Sequence, residues 1–339
     1  MQLDNLTKVL ENEPKYRLAQ ANEAVFKNFI SDWSEATFFT KDLRDKLNKE
    51  CPLKIDADVL VSLGRSPTGE PKKDCVKAKI TLKDGFEIES VLMRHRDGRN
   101  TVCVSSQVGC PLGCLFCATG KMGFKRNLTT NEIIEQVVFF DRYLLKENQH
   151  VTNVTYMGMG EPFLNYDNVL ESVKILNDHR YFNIGVRSIS VSTAGIIEGI
   201  NKLSDEKLHI NLAISLHAPN NALREKLMPI DKKYPLPDVL KAVDDYIEKT
   251  NRKVMFEYVL IKDVNDSDEH AKELAKIMSK KLYMVNLILY NETGVFKASE
   301  TKRVEAFRMI LEKLKVRYTQ RYRFGDDINA ACGQFATNK

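Results

Sequence analysis

Long apolar runs are missing from this sequence of 339 residues, and no stretch of about 18 or more apolar residues occurs in it. We therefore expect no transmembrane helix and no membrane partner. The first residues also lack a basic segment followed by an apolar one, so no secretory signal is expected. We find no internal repeat and no low-complexity segment. The composition is that of a globular protein large enough for one big domain and a smaller one.

The cysteines are too few and too unevenly placed for a disulfide-rich secreted protein. There are seven of them, an odd number, and three lie close together. We therefore expect a reducing, cytoplasmic setting. The net charge is only +5, from 51 basic and 46 acidic residues, so total charge indicates a polyanionic partner only weakly and the local pattern matters more.

The first hundred residues are predicted to form two small parts. Apolar positions recur at helical spacing within residues 1–70, which predicts a helical accessory domain. A turn-rich segment at 66–71 ends it. Residues 71–100 then alternate apolar and polar side chains on both sides of Asp84-Gly85, which predicts a β-hairpin linker.

Strands and helices alternate from residue 101 to residue 339, which predicts a parallel sheet with right-handed crossovers. About six such units are too few for a closed eight-stranded barrel, so we predict an α/β fold with an open, partial βα barrel. In such folds the chemistry lies at the carboxyl ends of the strands. The predicted strands are 101–105, 151–157, 187–193, 210–215, 253–260, 283–289 and 317–321.

Cys110, Cys114 and Cys117 lie at C-x3-C-x2-C spacing in a glycine-containing loop after the first of these strands. Thiolates are the usual ligands of iron–sulfur clusters, and three of them leave one iron of a [4Fe–4S] cube open to another ligand. A zinc site would need a fourth cysteine or histidine close by, and the nearest later histidine is His150. Three buried free cysteines are the alternative interpretation, which the tight spacing and the loop position disfavour.

The cysteine loop resembles the signature of the radical S-adenosylmethionine (radical SAM) enzymes, with Phe116 as the aromatic residue before the last cysteine. This resemblance implies that the open iron binds the amino and carboxylate groups of SAM. Polar residues at later strand ends then become candidates for the rest of the SAM site, although a lone G-x-G is usually a plain turn and a single histidine is usually structural. The predicted SAM-binding residues are Gly160, Glu161, Ser192, Ser215, Leu216, His217 and Asn291.

Two cysteines outside the loop narrow the resemblance. Cys103 lies in the segment 102–110 and Cys332 in the segment 327–334, and together these segments resemble the RlmN/Cfr family of radical SAM methyltransferases, which act on adenosine in 23S ribosomal RNA. The resemblance runs from about Glu89 to Gln334 and extends more loosely into the helical part, which is similar to the family's RNA-contacting domain. Further matching segments are 117–120, 127–129, 157–162, 215–217 and 227–230.

The resemblance implies a reaction at an electron-poor carbon of adenine, which cannot attack the methyl group of SAM in a polar displacement. A radical can add to such a carbon. By resemblance, Cys332 takes a methyl group from a first SAM, and a radical derived from a second SAM removes a hydrogen from that methyl. Attack by Cys103 on the resulting Cys332–adenine adduct would release the base and leave a transient disulfide. Glu89 matches the position assigned as proton acceptor.

The implied function is methylation of adenosine C2 in the peptidyl-transferase region of 23S rRNA, with tRNA left open as a second substrate. An external one-electron donor such as flavodoxin is expected. The main alternative is C8 methylation, the antibiotic-resistance branch of the same family, which uses the same cysteines. A different radical SAM reaction, such as glycyl-radical formation, would not need Cys103 and Cys332. A non-catalytic RNA-binding module would not need an open iron.

Basic and aromatic residues flank both the cysteine loop and the segment that carries Cys332. Such interleaving suits phosphate contact and base stacking, so we predict RNA contacts there. Any one of these basic or aromatic runs, taken alone, is more often a solvent-exposed face of the protein with no binding role. The residues are Arg94, His95, Arg96, Arg99, Lys121, Lys125, Arg126, Arg317, Tyr318, Arg321, Tyr322 and Arg323.

Overall fold

The computed structural model describes Met1, residues 5–63 and residues 74–337. The strands are β1 (Asp56–Val61), β2 (Cys75–Thr81), β3 (Glu87–Arg94), β4 (Asn100–Cys103), β5 (Gln107–Gly109), β6 (Phe124–Asn127), β7 (Asn153–Tyr156), β8 (Ile189–Thr193), β9 (Asn211–Ser215), β10 (Val254–Leu260), β11 (Tyr283–Leu289) and β12 (Tyr318–Gln320). The α-helices are α1 (Leu6–Val9), α2 (Tyr16–Phe26), α3 (Lys41–Glu50), α4 (Ala118–Lys121), α5 (Thr130–Leu145), α6 (Tyr166–Asn177), α7 (Ile197–Asp205), α8 (Asn221–Leu227), α9 (Leu236–Thr250), α10 (Asp268–Ile277) and α11 (Thr301–Lys313).

The main sheet of the described residues has the strand order β1-β2-β3-β4-β7-β8-β9-β10-β11-β12. All pairings from β4 to β12 are parallel. Parallel neighbours require long crossovers, and helices supply them here. The α/β class and the open βα arrangement are confirmed, and each of the seven predicted strands overlaps a strand of the structure.

The predicted hairpin is confirmed as β2 and β3, which pair antiparallel around a turn where Gly85 has a φ of +80°. A positive φ is the conformation that glycine adopts without steric cost. β3 also pairs antiparallel with β4, so the hairpin extends the barrel sheet. Its inner face therefore continues the inner face of the barrel.

The helical prediction for residues 1–70 is correct for α1 to α3 and wrong for β1, which pairs with β2 from Asp56 to Val61. β1 is an edge strand, and Val59 and Leu60 are exposed, so its apolar residues do not alternate as those of a half-buried strand would. The extended conformation of β1 is therefore determined by its pairing with β2 and not by its own pattern of apolar and polar residues. The turn-rich segment at 66–71 lies outside the described residues, and the domain boundaries at 70 and 100 remain predictions.

The helical part is fixed to the barrel by Arg142 of α5. Its guanidinium donates to the backbone carbonyl of Leu53 at 2.8 Å, to that of Phe29 at 3.2 Å and to that of Ile30. Backbone carbonyls at helix and turn ends need such partners when they are buried. Among the described residues, no helix combines the length and the apolar character needed to cross a bilayer.

Candidate active site

The cysteine loop is closed at its base by the small β5–β6 hairpin. The Cys110 amide donates to the Gly123 carbonyl at 3.0 Å, which joins the two ends of the loop. Gly109 has a φ of +72°, and a Cβ placed there would lie 1.8 Å from the Gly123 oxygen. Only glycine therefore lets the two strands approach closely enough to present the loop.

Cys110 and Cys114 pack against a cluster of buried apolar residues that includes Met228 and Val259. Burial raises the pKa of the Cys110 thiol to about 12 and raises that of Cys114 as well, with the neighbouring thiols adding to the effect. The thiols of Cys110 and Cys114 therefore need a strong local positive charge to become thiolates, and bound iron would supply one. In the described residues, no group of three His, Cys, Asp or Glu side chains is arranged around a single ion. The three thiols therefore fit a [4Fe–4S] cube better than a single metal ion, because each thiolate would bind a different iron of the cube.

A cleft with about 970 Å³ of empty space, part of it open to solvent, lies beside the three cysteines. This size suits a small-molecule ligand. The cleft lies at the carboxyl ends of β7 to β10, as predicted for a partial barrel. Five predicted SAM-binding residues line it: Gly160, Glu161, Ser192, Ser215 and His217.

Glu161 is buried, and its carboxylate accepts hydrogen bonds from the Ala194 amide at 2.7 Å and the Phe163 amide at 3.0 Å. Burial raises its pKa to about 7, and these hydrogen bonds oppose that rise. The Thr193 side chain also bonds this carboxylate, and about four lone-pair sites leave room for one further donor from a ligand. Gly160, with a φ of +99°, brings the backbone close to Gln107, where a Cβ would meet that side chain at 2.5 Å.

His217 also has a positive φ, +54°, and its Nδ1 accepts from the Val259 amide at 3.2 Å. Burial lowers its pKa to about 3, so the ring is neutral and its proton is on Nε2. The ring meets Phe116 of the cysteine loop edge-on, with centroids 4.7 Å apart. The Leu216 side chain, by contrast, is fully buried in the core and does not line the cleft, so only its backbone is available to a ligand.

A second, smaller cavity adjoins the cleft and holds both of the cysteines outside the loop, Cys103 and Cys332. Cys332 lines both spaces and is accessible to solvent. Asn291, predicted in the SAM site, lines the second cavity; its Nδ2 donates to the Cys332 carbonyl at 3.1 Å, and its Oδ1 has no protein partner among the described residues. A buried acceptor without a partner suits a donor on a bound molecule.

Glu89 does not line either cavity. Its carboxylate is buried, lies 2.6 Å from the Lys77 ammonium and accepts from the Ala336 amide at 3.0 Å. Burial raises its pKa, and Lys77 opposes the rise. The predicted proton acceptor therefore lies behind the segment that carries Cys332, on the inner face of β3.

Comparison with known proteins agrees with this geometry. The family model for the radical SAM superfamily matches residues 104–275. A probable dual-specificity RNA methyltransferase RlmN from Dictyoglomus thermophilum is 44% identical over 98% of this chain and 94% of its own length. The ribosomal RNA large subunit methyltransferase N of Nitrosopumilus maritimus is 42% identical over 96% of this chain and 93% of its own. The crystal structure of a radical SAM methyltransferase from Sphaerobacter thermophilus has a TM-score of 0.90 at 38% identity and covers 99% of this chain and 97% of that one.

The chain belongs to the RlmN family of radical SAM RNA methyltransferases. The predicted family is thereby confirmed, and membership implies a [4Fe–4S] cluster and SAM. In this RlmN-family chain, Cys110, Cys114 and Cys117 are the residues that would hold the cluster, and the adjoining cleft would hold SAM.

Arg321 has a position in this RlmN-family site that the sequence pattern did not predict. It lines both cavities, and its guanidinium lies 3.4 Å from the Met157 sulfur, while its contact with RNA stays a prediction. Burial raises the pKa of Cys103 to about 12, and the charge of Arg321 opposes that rise. The same charge also lowers the pKa of the solvent-accessible Cys332 thiol. Arg321 therefore favours the thiolate form of both cysteines.

Other predicted RNA-contacting residues are held by neighbouring carboxylates. Arg94 is 2.6 Å from Glu147, and Arg126 is 2.8 Å from Glu132. Such paired cations have less charge to offer a phosphate than unpaired ones. Contact between these residues and RNA remains a prediction.

Glu161→Gln is expected to weaken SAM binding by roughly 10- to 100-fold, because a hydrogen bond to a charged group contributes about 1.5–3 kcal/mol. The amide also turns an N–H toward one of the two backbone donors that now bind the carboxylate. Anaerobic equilibrium dialysis with SAM measures the effect. Glu171→Gln, at an exposed position of α6, is the matched control. Equal affinity in both variants would restrict Glu161 to a structural role.

Proposed function

We propose that this enzyme methylates C2 of an adenosine in 23S rRNA, and of an adenosine in tRNA, in the cytoplasm. The observation that carries the proposal is that Cys103 and Cys332 share one cavity, which adjoins the cleft beside the three loop cysteines. The names of two relatives, a probable dual-specificity RNA methyltransferase and a ribosomal RNA large subunit methyltransferase, support an RNA substrate. A simple hydrogen-abstracting enzyme would need neither cysteine.

Cys332 is the residue that carries the methyl group. Its thiolate displaces the methyl of a first SAM, which gives S-methylated Cys332 and S-adenosylhomocysteine. Held by Cys110, Cys114 and Cys117, the cluster would supply the electron that cleaves a second SAM into methionine and a 5′-deoxyadenosyl radical. That radical takes one hydrogen atom from the S-methyl group and becomes 5′-deoxyadenosine. The carbon radical left on Cys332 adds to C2 of the adenine. Each turnover therefore consumes two SAM molecules.

Cys103 then releases the base. The C2 hydrogen leaves as a proton, with Glu89 as the proposed acceptor in the wall behind the Cys332 segment. The adenine radical formed by the addition also loses one electron, which the oxidised cluster would take back, and a closed-shell Cys332–CH2–adenine adduct remains. The Cys103 thiolate then forms a bond to the Cys332 sulfur while the carbon–sulfur bond breaks, and the electron pair of that bond stays on the carbon. The freed carbon takes a proton and becomes the methyl group. An external dithiol must then reduce the Cys103–Cys332 disulfide, and a one-electron donor such as flavodoxin starts the next turnover.

The test is anaerobic incubation of the reconstituted enzyme with SAM, a one-electron reductant and either 23S rRNA or tRNA, followed by nucleoside mass spectrometry. We expect 2-methyladenosine from both RNAs. Synthetic 2-methyladenosine and 8-methyladenosine standards separate the two positions by retention time. A product that matches 8-methyladenosine would overturn the C2 assignment, and no product with tRNA would overturn the second substrate.

A further inference from the structure

The segment that carries Cys332 is held against the inner face of the β2–β3 hairpin at both of its ends. On the amino-terminal side of the cysteine, the Lys77 ammonium donates to the Asn329 carbonyl at 3.1 Å. On the carboxyl-terminal side, the Ala336 amide donates to the Glu89 carboxylate at 3.0 Å. Lys77 and Glu89 are themselves an ion pair at 2.6 Å, and both side chains are more than nine-tenths buried. This buried ion pair therefore binds both ends of residues 329–336, Lys77 at the first residue and Glu89 at the last.

We propose that Lys77 is a positioning residue that, together with Glu89, clamps residues 329–336 and so sets the Cys332 sulfur beside Cys103. Lys77 lies on β2, opposite Val91 of β3, and Val91 is opposite Cys103 of β4. Opposite residues on neighbouring strands share a face, so the lysine and the resolving cysteine project from the same side of the sheet. The clamp thus fixes the position of Cys332 relative to the sheet that carries Cys103.

The loop needs such a clamp because it has no regular structure to fix it. Asn329 has a φ of +50° and Gly333 a φ of +84°, and no α-helix or strand lies between them. The other described ties in this stretch are weaker or lie on the cluster side, such as the hydrogen bond from Asn291 to the Cys332 carbonyl and that from Thr119 to the Phe335 carbonyl. Hydrogen bonds with an ionised donor or acceptor are about twice as strong as neutral ones.

An ion pair at this place costs desolvation energy that apolar side chains would avoid, so packing alone does not account for it. Lysine has three donors, and here one meets the carboxylate and another the loop carbonyl. A methionine of similar length would fill the space but could make neither contact. The pair is therefore suited to hold the loop and not merely to fill the core.

The importance of the clamp rests on the proposed function, in which Cys332 must meet the SAM methyl group, the adenine and Cys103 in turn. A displacement of about 1 Å can cost a reaction of this kind roughly 100-fold. The position of Cys332 relative to Cys103 can nevertheless be measured without RNA or SAM, by how readily the two form a disulfide. The clamp can therefore be tested separately from the methylation reaction.

The experiment measures the Cys103–Cys332 disulfide in cluster-loaded enzyme equilibrated in glutathione redox buffers, with thiol trapping and mass spectrometry. For Lys77→Met we expect the equilibrium constant for disulfide formation to fall roughly tenfold, which corresponds to about 30 mV. Amide hydrogen exchange of residues 329–336 should rise in the same variant. Lys77→Arg keeps the charge and the donors and should recover most of both losses.

Lys79→Met is the matched control, because Lys79 lies on the same strand and face, is partly exposed and pairs with Glu87 and Asp58. It should match the wild type in both measurements. Glu89→Gln, which keeps an acceptor for Ala336 but lacks the charge for Lys77, provides a second test if Lys77→Met does not fold. Disulfide constants and exchange rates in Lys77→Met and Glu89→Gln equal to those of Lys79→Met would overturn the clamp. Absence of the disulfide in the wild type would instead contradict the proposed role of Cys103.

Discussion

Cys103→Ala is expected to purify with RNA covalently attached through Cys332. The variant keeps Cys332 and the cluster loop, so it can still take the methyl group, generate the radical and add to adenine. No second thiol then attacks the Cys332 sulfur, and the adduct persists. Denaturing gel electrophoresis of protein expressed in cells should show a retarded band that nuclease removes and denaturant does not.

Three control variants separate this trap from a folding defect. Cys332→Ala lacks the sulfur that forms the adduct and should carry no RNA, and the Cys103/Cys332 double variant should behave in the same way. Cys51→Ala removes a buried cysteine of the helical part that lines neither cavity, so it should also run free of RNA. If Cys103→Ala is folded, carries its cluster and runs without RNA, then Cys103 does not resolve the adduct.

Cys114→Ala is expected to lose the [4Fe–4S] cluster and, with it, all detectable methylation. Cys114 is the middle cysteine of the loop, and the loop offers three thiolates to four irons, so its loss would leave two irons without a thiolate from the loop. Iron and sulfide analysis after anaerobic reconstitution measures the loss. Cys110→Ala and Cys117→Ala should lose the cluster too, whereas Cys51→Ala should retain it. A full cluster in the triple loop variant would contradict the ligand assignment.

The sheet could be predicted because the parallel strands are short, apolar and bounded by helices with clear starts. Strand β11, for example, has the predicted bounds, Tyr283–Leu289. The capping box of α5, in which Thr129 and Glu132 bond each other's backbone amides, is visible in four residues of sequence. The cysteine loop and the strand-end residues Glu161, Ser192 and Ser215 were predictable for a related reason, since strand order alone brings their positions together.

The remaining parts of the site depend on contacts between distant segments, which local patterns do not record. Arg321 follows an aromatic and basic run that is typical of an RNA contact, and only the fold places its guanidinium in the cleft. Lys77 and Glu89 alternate along a hairpin as ordinary charged strand residues do. Their pairing across β2 and β3, and their hold on residues 329–336, require the complete fold.

The clamp also has a consequence for the order in which the molecule folds. Its two contacts with the Cys332 segment join residues that are 252 and 247 positions apart in the chain. The entropy of closing such loops must be overcome before the contacts contribute any stability, so contacts this distant form late. The hairpin and the parallel strands can form from nearer neighbours. A refolding chain is therefore expected to possess its sheet before Cys332 reaches Cys103, which keeps the two thiols apart until the barrel is complete.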